Sequence, residues 1–121
     1  SGLTMTQKEM VATVVSAING CGYCVEHHGA ALEEEAEQPG LTEWVLAGDD
    51  RAELDERTRQ LVEFAEKLTR EPDDMGAADV DELRSVGMSD EEILDLVQLI
   101  AYFNYTNRVA TALGVDPEEE S

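Results

Sequence analysis

Positive charge is what this chain has least of. Eight Lys and Arg stand against 28 Asp and Glu, and the net charge is −20. Only Lys8 and Lys67 are lysines. Nucleic acids and anionic membranes both require a cationic surface, so neither is an expected partner. Long apolar runs are missing too, and no stretch reaches the length needed to span a bilayer. Nor does a basic segment followed by an apolar one open the chain, as an export signal would. A cytoplasmic protein is therefore expected. A surface rich in acid and poor in lysine suits work in high salt, where screening suppresses self-repulsion. Ordinary acidic cytosolic proteins share it, so the charge speaks of environment more than of chemistry.

Alternating strand patterns, internal repeats, long linkers and low-complexity stretches are also absent. At 121 residues and 42% hydrophobic content, one domain spanning residues 1–121 is expected. Such a chain is small enough that assembly would help it. Ser1-Gly2 reads as a remnant of tag removal, and residues 116–121 read as a frayed acidic tail.

What is present is helical spacing. Met10, Val11, Val14, Val15 and Ile18 predict a helix from about Met5 to Ile18, with Thr4 as N-cap and Asn19-Gly20 as its stop. A second runs from Cys21 or Gly22 to about Glu37, before Gln38-Pro39-Gly40. A short one covers Leu41 to Ala47 and carries Trp44. A fourth covers about Asp55 to Arg70, with Leu61, Val62, Phe64, Ala65 and Leu68 inward. A fifth covers about Ala77 to Val86, with Gly87 just past its end. Ser89 and Glu92 form a capping box for the last helix, about Asp90 to Leu113. Its expected stripe is Ile93, Leu94, Val97, Ile100, Ala101, Phe103, Val109 and Leu113. The predicted fold class is all-α, with about six helices.

Cysteine and histidine are scarce, two of each, and all four fall within residues 21–28. The run is Cys21-Gly22-Tyr23-Cys24-Val25-Glu26-His27-His28. Cys21 and Cys24 stand i,i+3 at a helix start, and His28 lies one turn beyond Cys24. A turn near Gly20 makes the first two helices an antiparallel hairpin. At 1.5 Å per residue, Glu9 and His28 lie roughly 16 and 12 Å from that turn, close enough for their side chains to meet. Ser16, two turns along from Glu9, is expected to line the same groove. A thiolate is favoured by a helix N-terminus and a nearby imidazole. An adjacent base activates a nucleophile, and a third group orients that base. Glu9, His28 and Cys24 stand in that order, with Cys21 as the resolving thiol.

Rival readings of the cluster exist. Paired helical cysteines can be small buried hydrophobes. Cys, Cys, His, His is also a zinc ligand set, but here the four crowd onto one helix start with no second cluster to complete a tetrahedron. Haem attachment requires a histidine directly after the second cysteine, where Val25 stands, and a thioredoxin domain requires βαβ patterning.

Glu9, Cys21, Cys24 and His28 fit the pattern of a glutamate, eleven intervening residues and Cys-x-x-Cys-x-x-x-His. That pattern resembles the alkylhydroperoxidase D-like family of the carboxymuconolactone decarboxylase superfamily. Asn19-Gly20 before the motif, His27-His28 within it, Leu83-Arg84 with Gly87-Met88-Ser89-Asp90, and Phe103 to Ala110 are similar to its peroxidase-related branch. The resemblance implies a helical, homo-oligomeric antioxidant protein (dimer, trimer or hexamer) that reduces hydroperoxides. Its electrons would come from a dithiol or lipoyl-type reductant or pass to a partner peroxidase. It also implies that Cys24 is the reactive cysteine and Cys21 the resolving one, with His28 and Glu9 in a proton relay. Tyr23 stands where the family's best-described member has a histidine, and could serve as a hydroxyl donor or simply pack. His27 points about 100° away from His28 and reads as a surface or interface residue. Asn104, Asn107 and Arg108 share a face of the last helix and read as structural hydrogen-bonding residues. Trp44, Tyr102 and Tyr105 read as packing residues.

The expected function is a thiol-dependent hydroperoxide or disulfide reductase needing no metal and no bound cofactor. A decarboxylase-like lyase and a non-enzymatic protein whose disulfide switches assembly are the alternatives.

Overall fold

The structure, a computed structural model, describes residues 2–115. Ser1 of the expected tag remnant and the expected frayed tail, 116–121, lie outside the described residues. Six helices follow in order: α1 Met5–Ile18, α2 Gly22–Ala36, α3 Leu41–Ala47, α4 Glu56–Arg70, α5 Ala77–Ser85 and α6 Asp90–Ala112. Short 3₁₀ turns at Arg51–Glu53 and Pro72–Asp74 join α3 to α4 and α4 to α5. There is no strand among the described residues. The architecture is all-α, as the periodicity predicts.

The helix boundaries follow local chemistry. Thr4 caps α1 by accepting the Gln7 N–H, while the Gln7 side chain accepts the Thr4 N–H. Ser89 and Glu92 make the same reciprocal pair at α6. The Ser89 N–H, together with the Arg57 guanidinium, holds the Glu92 carboxyl below its ordinary pKa. α1 ends where Gly20 takes a φ of +71°, a left-handed conformation that costs a glycine little and other residues more.

α1 is the hub, packed against α2, α3, α4 and α6. Its residues from Met10 to Ser16 are all buried, including Ala12, Thr13 and Ser16, which lie outside the predicted stripe. That stretch carries no charge, so it can be enclosed on every side rather than along one face. The Thr13 hydroxyl is satisfied by the Glu9 carbonyl at 2.7 Å.

α6 departs from the sequence reading. Its buried stripe is Ile93, Leu96, Ile100, Phe103 and Asn107, spaced alternately by three and four. Leu94, Ala101, Val109 and Leu113, expected inside, are exposed. Tyr102 and Tyr105, expected to pack, are 58% and 66% exposed and stand beside each other. At 100° per residue these positions gather on the side of α6 opposite the core, so the helix carries two apolar faces. Spacing alone does not separate the two.

Candidate redox-active site

The turn at Asn19-Gly20 reverses the chain so that α2 runs back along α1. Cys21 is the N-cap of α2. Its Sγ accepts the Cys24 N–H at 3.3 Å, and its carbonyl accepts the Val25 N–H at 2.9 Å. A sulfur thus does the work usually done by a Ser or Asp oxygen, satisfying one of the donors a helix start leaves open. Cys21 and Cys24 are joined as a disulfide, with Cα atoms 5.2 Å apart, inside the usual range. Both are buried.

Two helical turns of α2 carry the chain from Cys21 to His28. Its Nδ1 meets Oε2 of Glu9 on α1 at 2.9 Å, and both side chains are about one-fifth exposed. The hairpin count therefore brings the two together as expected. The imidazole also makes a T-shaped contact with Phe103 of α6, with ring centroids 5.3 Å apart. Beyond His28, Gly29 lets α3 approach, because a Cβ there would stand 2.9 Å from the Thr42 hydroxyl. That hydroxyl donates to the Gly29 carbonyl.

The supporting candidates fall elsewhere. Tyr23 stacks on exposed His27 with centroids 6.1 Å apart, and His27 meets His28 edge-on at 5.2 Å. Ser16 is fully buried, but its hydroxyl accepts the side-chain amide of Asn107 rather than facing Glu9. Around it lies a polar cluster that joins α6 to the end of α1. The Asn19 amide donates to Oδ1 of both Asn107 and Asn104, at 3.0 and 2.9 Å. Asn104 is held in turn by Thr69 and Arg108. Asn104, Asn107 and Arg108 share a face in the sequence, and the fold sets Asn104 and Asn107 against the turn before the cysteines. The signal for Asn107 was available: a lone amide continuing an apolar stripe four residues after Phe103. Among the described residues no three His, Cys, Asp or Glu side chains gather as a metal site.

The helical hairpin thus carries a cysteine disulfide at a helix start, with a carboxylate-braced imidazole one turn further on. Known proteins are similar to this chain in sequence and fold. Residues 1–43 match the carboxymuconolactone decarboxylase family. A peroxidase-related protein from Silicibacter sp. TM1040 is 42% identical and superposes with a TM-score of 0.87 over 93% of this chain. A peroxidase-related protein from Ralstonia eutropha JMP134, described as an alkylhydroperoxidase AhpD core, is 33% identical with a TM-score of 0.89 over 99% of this chain. This chain spans 59% and 63% of those two chains. The YdfG protein of Bacillus subtilis (strain 168) is 23% identical over 94% of this chain and 78% of its own length. The likeness to the alkylhydroperoxidase D-like family of the carboxymuconolactone decarboxylase superfamily is thus borne out, in sequence over residues 1–43 and in fold over nearly the whole chain.

Proposed function

We propose that the protein is a thiol-dependent hydroperoxide reductase whose electrons pass through Cys24 and Cys21. The observation that carries this reading is the 2.9 Å contact between Glu9 and His28, one helical turn from the disulfide. The Cys24 thiolate attacks the terminal oxygen of a hydroperoxide, forming a sulfenic acid as the O–O bond breaks. The departing alkoxide takes a proton from the His28–Glu9 pair and leaves as an alcohol. The Cys21 thiol then attacks Cys24 Sγ, its proton leaving with the sulfenic hydroxyl as water, and the disulfide forms. An external dithiol, of lipoyl type or on a partner peroxidase, exchanges with that disulfide and returns both thiols. Two electrons and two protons enter, and one alcohol and one water leave. A cytoplasmic setting, where thiols are kept reduced, suits the cycle. No step calls on a metal or a bound cofactor.

The working unit in this reading is a homo-oligomer. The second apolar face of α6, with Leu94, Ala101, Tyr102, Tyr105, Val109 and Leu113 all exposed, supports it.

The test is stopped-flow consumption of hydrogen peroxide and an alkyl hydroperoxide with dihydrolipoamide or dithiothreitol as donor. Wild type turns over, and Cys24→Ser loses at least about 100-fold, as expected when a nucleophile is removed. Wild-type activity no higher than that of Cys24→Ser would sink the reading. The family match also admits a decarboxylase-like lyase. That alternative is favoured if decarboxylation of a lactone-type acid survives alkylation of both cysteines.

A further inference from the structure

A disulfide that opens and closes needs its two sulfurs held in register, and part of the apparatus that holds them comes from the far end of the chain. Asn107 lies on the buried stripe of α6 and is 1% exposed. Its Nδ2 donates to Ser16 Oγ at 3.0 Å, and its Oδ1 accepts from Asn19 Nδ2 at 3.0 Å. Both partners control where Cys21 sits. The Ser16 carbonyl accepts the Cys21 N–H at 3.0 Å. Asn19 is the C-cap of α1, one left-handed glycine before Cys21.

An apolar residue at 107 would continue Ile100 and Phe103 without needing partners. A buried amide costs free energy unless both its ends are bonded, so it fixes α6 to two particular residues rather than to a general surface. Those residues flank the turn that presents Cys21.

We propose that Asn107 is a positioning residue for the cysteine pair. Through Ser16 and Asn19 it holds the α1–α2 turn in the shape that keeps Cys21 against Cys24. This rests on the reading of the pair as redox-active. A turn held in the disulfide shape raises the effective concentration of one thiol at the other, so the bridge forms more favourably. Removing Asn107 loosens the turn and moves the equilibrium towards the dithiol. The exchange is balanced: protein disulfide and two glutathione thiols give two protein thiols and glutathione disulfide.

The test is a redox titration of the folded protein against glutathione, read by alkylation and mass spectrometry. Wild type is compared with Asn107→Leu, Ser16→Ala, the double variant, and Leu83→Ala as a control. Leu83 is buried on α5, away from the turn, and its truncation lowers the thermal midpoint without reaching the cysteines. Asn107→Leu should reduce the equilibrium constant for disulfide formation about fivefold to tenfold, a tenfold change being about 30 mV for this two-electron couple. Ser16→Ala should shift it the same way by less. The double variant should match Asn107→Leu, because the two residues share one bond. The control should stay at the wild-type value. If Asn107→Leu does not fold, Ser16→Ala against the control decides the matter.

The proposal is overturned if the Asn107 and Ser16 variants titrate within twofold of wild type, if they stabilise the bridge, or if the control shifts as far. A wild-type pair that never exchanges with glutathione overturns the redox reading itself, and this inference with it. The two failures are thereby told apart.

Discussion

His28 has one ring nitrogen, Nδ1, engaged by Glu9, so in the proposed relay Nε2 is the atom that exchanges a proton with a sulfur. The Phe103 ring packed edge-on beside it limits how far the imidazole can swing. If this is a relay, Cys24 is alkylated by iodoacetamide faster than Cys21, and at lower pH than an unperturbed thiol of pKa ~8.5. His28→Ala and Glu9→Gln both move that pH profile upward while the chain stays folded, since the enclosed part of α1 starts at Met10. Mass spectrometry identifies the labelled cysteine. Faster labelling of Cys21, or an unchanged profile in both variants, removes the relay and leaves only the disulfide. Glu9 and His28 were legible as a pair because helix rise and a two-residue turn suffice to bring them opposite each other. The surroundings of Ser16 were not, because its partner Asn107 is 91 residues away.

At the scale of elements, α6 is the instructive case. A helix of 23 residues with apolar positions on both sides has no single stripe to be read from spacing. Tertiary packing chose the one through Leu96, a residue left out of the expected list. Leu96→Ala should therefore cost about 2–5 kcal/mol in a denaturant melt. Leu94→Ala, on the exposed face, should stay within about 0.5 kcal/mol for the monomer. Comparable losses from both would mean that α6 is seated differently. The five other helices were readable almost to the residue, for a local reason. Their ends carry their own punctuation, in Thr4, Gly20, Asp55 and Gly87, and such signals act within one turn. The 3₁₀ turn at Arg51–Glu53 has no comparable signal, and the one at Pro72–Asp74 has only Pro72 at its first position, which reads equally as the stop of α4.

For the whole molecule the balance to consider is charge against apolar surface. Of the eight cations, Arg51, Arg57, Arg59, Lys67 and Arg84 are paired with carboxylates, which leaves a large uncompensated negative field. Bringing two copies together along α6 works against that field at low ionic strength and much less in molar salt, where the screening length is about 3 Å. Light scattering should accordingly report a mass above that of the monomer, rising with salt. A monomer mass under both conditions removes the oligomer. The same measurement with and without dithiothreitol should give one result, for a reason set by the position of the bridge. Cys21 and Cys24 lie within a single turn of one helix, so the bond ties no helix to another. Opening it releases a loop of four residues, where loop entropy is small, and cuts no covalent link between helices. In the proposed cycle two electrons are therefore gained or lost without untying one helix from another, and the change is felt beyond the turn only through the bonds of Asn107 to Ser16 and Asn19.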